Sequence, residues 1–429
     1  MRLAPWIIKN TEEVLREIMR FAASADGTLS HFFRTHPKLG SRERGVISDA
    51  VFAVLRNKIF YADFAGSRGG DTMRGLALLG LSDVVGADSL GGMSAEEASW
   101  LADIAKIDRS LLPAVMRSNM PQWLFDNLVK EYGEEQAMQL ADALNRPAPL
   151  DLRVNSLKAS TEEVVAELNA ASVQSEPMRY APLGLRVGKK TALQNLPLFR
   201  TGAIEVQDEG SQLLAQIVGA KRGEMIADFC AGAGGKTLAL GAQMRNTGRL
   251  YAFDVSEKRL ANINPRLARS GLSNVHPIRI ANEKDARIKR LAGKLDRVLV
   301  DAPCSGLGTM RRNPDIQWRQ FPDSIHAFQA QQLAILSSAA RLVKSGGRLV
   351  YATCSLLAEE NEDVVAKFLT SHADFELIPM RDILAEQKIP LEMQDYLKLL
   401  PHVHHTDGFF AAVLARKSAT KPIDKPVAE

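Results

Sequence analysis

The stretch "GEMIADFCAGAGGKT", Gly223 to Thr237, decides how the rest of the chain is read. It is an apolar run closing on Asp228, then a loop with Gly232, Gly234 and Gly235, then the opening of a helix. The ending Gly-Lys-Thr suggests a phosphate-binding loop. That motif needs a glycine six residues before its lysine, and position 230 is Cys, so the nucleoside triphosphate reading fails. What remains is a strand, a turn in which glycine lets the backbone approach a ligand, and a helix N-terminus with free amide donors.

Working outward, "GRLYAFDV" ends a second apolar strand on Asp254, 26 residues after Asp228. "LDRVLVDAP" and "GGRLVYATCS" supply two more, separated by helical stretches. Near-continuous apolar strands alternating with helices describe a doubly wound α/β domain with a parallel sheet. Asp254 sits where such folds place the carboxylate that accepts ribose hydroxyls. A dinucleotide enzyme would carry G-x-G-x-x-G, but position 237 is Thr. A loose glycine loop with a ribose acid and cysteines farther on favours S-adenosylmethionine over a nicotinamide cofactor.

Those cysteines are the next clue. Only Cys230, Cys304 and Cys354 occur, too few and too widely spaced for a disulfide framework or a paired zinc site. Each follows a strand, so all three belong at the carboxyl edge, where open α/β sheets bind ligands. A lone buried cysteine is more often a small hydrophobe than a nucleophile. Two thiols and Asp301 at one sheet edge suit a specific chemistry. Carbon 5 of a pyrimidine is a poor nucleophile, and a thiolate adding at carbon 6 activates it. An acid hydrogen-bonding at N3 favours that addition, and a second thiol has a place in product release.

Upstream, residues 1–124 read as an all-helical domain, with Ile47, Val51, Val54 and Leu55 at helical spacing and a capping box at Ser94 and Glu97. Residues 125–205 read as a small α+β module with a second capping box at Ser160 and Glu163, and 206–418 as the α/β domain. Residues 419–429 form a polar tail expected to be disordered. The 429 residues, 46% hydrophobic, suffice for several cores, and a net charge of +4 permits a nucleic-acid partner without demanding one. No signal peptide or membrane helix is apparent, so a cytoplasmic location is expected, with no obligate protein partner.

The motifs "DFCAGAGGKT", "VDAPCSGLGTMRRNPDIQW", "YATCSLLAEEN" and "DGFFAAVLAR" resemble those of the RsmB/Sun and Nop2 family of ribosomal RNA cytosine-5 methyltransferases, with the N-terminal helices favouring its small-subunit (16S) branch. The resemblance spans residues 110–416, and the N-terminal helices more loosely resemble a NusB-like RNA-binding domain. It implies a Rossmann-like class I methyltransferase fold, S-adenosylmethionine as cofactor and ribosomal RNA as partner, with 5-methylcytosine formed through a covalent adduct. Cys354 becomes the nucleophile and Cys304 the thiol that assists release. The cofactor would lie on Cys230, Ala231, Gly232, Ala233, Gly234, Gly235 and Lys236, with Asp254 at the ribose and Asp301 between base and methyl group. Asp285, or alternatively Asn282, would take the adenine side. The loop departs from the family's usual Ala-Ala-Pro-Gly-Gly-Lys, trading a rigid proline for Ala231-Gly232-Ala233.

Arg311, Arg312 and Arg319, near Trp318, suit an RNA strand, although an isolated basic run is more often a solvated face. His402, His404 and His405 lack an acid or cysteine at ligand spacing, and no metal is expected. The competing readings are a catalytically silent RNA-binding assembly factor, a transfer RNA enzyme and a DNA methyltransferase.

Overall fold

The computed structural model of the chain describes residues 3–67, 71–188 and 191–418. The tail expected at 419–429 lies outside the described residues. Among the described residues no helix is long and apolar enough to cross a membrane. Two compact units emerge, one of Met1–Ala148, Gly306–Ser324 and Pro401–Val403, the other of Pro149–Ser305, Ile325–Leu400 and His404–Glu429.

The first unit is helical. In the helix Ser41–Arg56 the four residues singled out by spacing, Ile47, Val51, Val54 and Leu55, are all fully buried. Helix Thr72–Val85 approaches it closely at Gly80, where a Cβ would lie 2.6 Å from the Ala50 carbonyl oxygen. The Ser94 and Glu97 capping box forms in both directions, opening Ala95–Ile104. Helices Gln122–Tyr132 and Glu134–Leu144 also belong to this unit. So does Gly306–Ser324, which the sequence reading kept inside the 206–418 domain. Its Asp315 accepts the Ala25 amide at 3.2 Å, and the Lys58 ammonium lies 3.9 Å from the Trp318 ring.

The second unit holds two sheets. The smaller is antiparallel in the order β2-β3-β1-β4, with β1 at Leu150–Val154, β2 at Ser175–Pro177, β3 at Gly184–Val187 and β4 at Ile204–Val206. Leu152, Val154, Leu185 and Ile204 form its core with Val164 and Leu168 of helix Thr161–Ala170. Glu205 is buried and pairs with both Arg266 and Arg269, tying β4 to the helix Ile263–Ser270 of the larger domain.

The larger sheet has eight strands: β5 (Met225–Asp228), β6 (Arg249–Asp254), β7 (Val275–Arg279), β8 (Leu295–Asp301), β9 (Val343–Thr353), β10 (Phe375–Ile378), β11 (Leu397–Leu399) and β12 (Phe409–Arg416). The path is β10-β12-β9-β8-β5-β6-β7, with β11 paired to β12. β7, β6, β5, β8 and β9 are mutually parallel, while β12 runs antiparallel to β9, β10 and β11. This is the expected Rossmann-like α/β architecture. The strand order turns back at β5, which has β6 on one side and β8 on the other, and the crevice of such a sheet opens at that point. Asp228, Asp254, Asp301 and Thr353 end the four strands around it.

Candidate active site at the carboxyl edge of the parallel sheet

After β5 the chain stays tethered to its neighbours: Phe229 N donates to Leu299 O of β8 and Ala231 N to Phe253 O of β6, both at 2.8 Å. The loop then turns through Gly232 and Gly234, at φ of 56° and 83°, and enters helix Gly235–Gln243. These conformations favour glycine. At Gly234 a Cβ would also meet Ile263, whereas at Gly232 it would enter open space. The edge next to Gly232 therefore admits a ligand against bare backbone.

Asp254 stands over this loop. Its Oδ2 accepts the Gly232 amide at 2.8 Å and its Oδ1 the Ser256 amide at 2.7 Å. Each oxygen keeps a lone pair, so the carboxylate can still accept two ribose hydroxyls. Beneath it Asp228 is almost fully buried; Oδ2 accepts from Thr237 Oγ1 at 2.7 Å and Oδ1 has no partner. Burial pushes the Asp228 carboxyl up to about 7, against the Thr237 hydrogen bond and with help from the charge of Asp301. Cys230, behind the loop, is raised well above the usual thiol range by burial and by Asp228, Asp301 and Asp254. Its side chain is partly buried and packs against the core.

At the end of β8, Asp301 pairs with Lys236 at 2.7 Å. Burial works against the lysine's charge, but the carboxylate outweighs it and raises the Lys236 ammonium. That ammonium is also within electrostatic reach of Cys354. The other two thiols meet: Cys304 Sγ lies 3.3 Å from Cys354 Sγ. Cys304 is held well above the usual thiol range, first by its contact with Cys354 and then by burial.

A fully buried carboxylate, Glu360, brings the two cysteine loops together. Its Oε1 accepts the Ser305 amide at 2.8 Å and Gln332 Nε2 at 2.9 Å, while Oε2 accepts the hydroxyls of Ser305 and Ser355. Ser305 follows Cys304 and Ser355 follows Cys354, so one side chain fixes both turns. Gln332 also donates to Pro303 O, and Tyr351 OH to Glu360 O. Neither Glu360 nor Asp228 stood among the sequence candidates. The adjacent acids of "LAEEN" carry no sign of which one faces inward.

The other candidates have partners of their own. Asp285 caps helix Ala286–Lys289, and its carboxylate is already engaged by the amides of Ala281 and Arg287 and by the Arg287 guanidinium. Those bonds hold it below the usual carboxylate range, with the Arg287 side chain foremost. Asn282 accepts the Lys284 amide within the same loop. Arg311, Arg312 and Arg319 belong to the helical unit; Arg319 is paired with Asp315 at 2.9 Å, and Arg311 O accepts from Arg56. Of the histidines, His404 Nδ1 accepts the Leu400 amide and His405 O accepts from Arg186. Among the described residues no group of three His, Cys, Asp or Glu could hold a metal ion.

Comparison with known proteins identifies the family. Residues 215–415 match the family described as 16S rRNA methyltransferase RsmB/F, and residues 120–194 match a ferredoxin-like domain of RsmF/B-like methyltransferases. The chain is 36% identical to a protein of Synechocystis named probable ribosomal RNA small subunit methyltransferase B, over 94% of this chain and 98% of that one. A Bacillus subtilis protein of the same name is 34% identical over 69% of this chain and 66% of its own length. Among solved structures, PH0851 superposes with a TM-score of 0.76 over 96% of this chain and 99% of its own, at 26% identity. A methyltransferase homologue from Pyrococcus horikoshii covers 72% of this chain and 100% of its own, at 33% identity and a TM-score of 0.61. The cofactor is S-adenosylmethionine, which the open backbone at Gly232 and the spare acceptors of Asp254 fit. The chain belongs to the RsmB/F methyltransferase family.

Proposed function

We propose that the chain methylates carbon 5 of a cytosine in small-subunit ribosomal RNA, with Cys354 as the attacking thiol. One juxtaposition carries this reading: two thiols 3.3 Å apart and a lysine-paired carboxylate, at the edge where the cofactor would lie. Cys304 is reluctant to ionise and lies where it can donate to Cys354. Lys236 adds a cation nearby, the setting in which thiols act as nucleophiles.

In the proposed sequence the Cys354 thiolate adds to carbon 6 of the ring while a proton from the Lys236–Asp301 pair passes to N3, which neutralises the adduct and leaves carbon 5 electron-rich. S-adenosylmethionine, when bound, supplies the methyl group as an electrophilic carbon. A base then takes the carbon 5 proton, the C–H electron pair forms the C5–C6 double bond, and the carbon–sulfur bond breaks with its electrons returning to Cys354. Cys304, after passing its own proton to solvent, is the base assigned to that step in this reading. In this reading Asp254 and the loop Cys230–Lys236 orient the cofactor, and the helical unit contributes RNA affinity.

Labelled cofactor incubated with unmodified small-subunit ribosomal RNA, followed by nucleoside analysis, tests the reading. Label in 5-methylcytosine is expected. Label in another nucleoside, or none with RNA still bound, would refute it.

A further inference from the structure

The helical unit contains a cleft of about 520 Å³ lined by Arg56, Arg109, Arg117 and Arg146 together with one acidic residue, Asp142. Four cations against one anion leave an excess of three positive charges. Elsewhere in the molecule, arginines at comparable positions are neutralised: Arg74 by Glu12 and Glu97, Arg266 and Arg269 by Glu205, Arg297 by Glu224. Three hydrogen bonds from the cleft's arginines go to neutral groups. Arg109 donates to Asn57 Oδ1 at 2.7 Å, Arg56 to Arg311 O at 3.1 Å and Arg117 to Ser110 O at 3.4 Å. Asp49 is within electrostatic reach of Arg56, whose Nε is buried without a partner. The Arg109 guanidinium lies over Phe60, 4.5 Å from the ring centre.

Gathering like charges costs self-repulsion unless an anion is meant to sit among them. Guanidinium forks match phosphate geometry, and the volume falls within the roughly 300–1,000 Å³ of ordinary ligand sites. A duplex is too wide to enter it. We propose that this cleft binds successive phosphodiester groups of a single-stranded segment of the RNA substrate. The proposal rests on the RNA reading above and adds where the backbone is gripped.

The test uses the full chain and a labelled oligouridylate of about 20 nucleotides, followed by fluorescence anisotropy between about 50 and 200 mM salt. Substituting Arg117→Gln together with Arg146→Gln, both exposed side chains, weakens binding on the order of tenfold and flattens the salt slope by about 1.4, at roughly 0.7 per contact. Lys106→Gln, which removes an exposed lysine paired with Asp103, leaves both unchanged. Wild-type affinity and slope in the double variant would overturn the proposal. Should the double variant fail to fold, phenylglyoxal footprinting of the unaltered chain decides: oligouridylate protects Arg117 and Arg146 but not the exposed Arg20. Absence of that protection refutes the cleft. Failure of methylation with cleft-dependent binding intact would sink the enzymatic reading alone; methylation with no role for the cleft would sink only this proposal.

Discussion

Around the glycine loop, carboxylates meet backbone amides: Asp254 accepts Gly232 N and Ser256 N, and strand-to-loop bonds from Phe229 and Ala231 hold the turn. Around the two cysteines the order comes from side chains, with Glu360 gathering Ser305, Ser355 and Gln332. The difference has a physical consequence. A site drawn by backbone survives most single substitutions with a local loss. A site drawn by one buried carboxylate depends on that carboxylate, because its removal strands several buried donors at once.

The largest effect is therefore expected at Glu360. Replacing it with Ala strands the Ser305 amide and the Ser355 hydroxyl, while Gln332 keeps Pro303 O and the Ser305 hydroxyl keeps Ser355 Oγ, and buried orphans cost about 1–3 kcal/mol each. A loss of roughly 4 kcal/mol in denaturant unfolding is expected, with turnover falling further than stability alone explains. Glu360→Gln retains part of the network and should lie between. An Ala variant as stable and active as the wild type would erase the contrast between the two halves.

Next comes Asp228, the orphaned acid beneath the loop. Its folded pKa of about 7 lies above the ordinary carboxylate value, so its favourable contribution is fully present below about pH 4 and is lost as pH rises towards 7. The span of about three units corresponds to at most about 4 kcal/mol. Asp228→Asn stays neutral, and its stability relative to wild type should rise between pH 4 and 7 in thermal melts. A constant difference across that range would contradict the assigned burial.

Smaller effects separate the amide-held acids. Asp254→Ala removes a charged acceptor worth about 1.5–3 kcal/mol, and cofactor affinity by calorimetry should fall roughly 10- to 100-fold. Asp285→Ala should change it by no more than about threefold, since that carboxylate is spent on its own loop. Equal losses would place Asp285 on the cofactor after all.

The same contrast explains what was legible in the sequence. β5, β6, β8 and β9 announce themselves as apolar runs closing on Asp228, Asp254, Asp301 and Thr353, and the capping serines Ser94 and Ser160 mark helix starts by local chemistry alone. β7, "VHPIR", gives no such signal, because an edge strand with a histidine and a proline reads as a loop. Glu360 was hidden for a different reason. Glu359 and Glu360 are chemically alike, and only the turn after β9 decides that the second is fully buried. The docking of Gly306–Ser324 among the helices is a long-range event that no local pattern encodes.

The division of labour between the thiols is the central claim, and one gel addresses it most directly. Labelled small-subunit ribosomal RNA is incubated with cofactor and either Cys304→Ala or Cys354→Ala, then denatured and resolved from free RNA. With the release thiol gone and the attacking thiol intact, Cys304→Ala should accumulate a covalent protein–RNA band, and Cys354→Ala should form none. An adduct trapped by Cys354→Ala but not by Cys304→Ala would contradict the assignment.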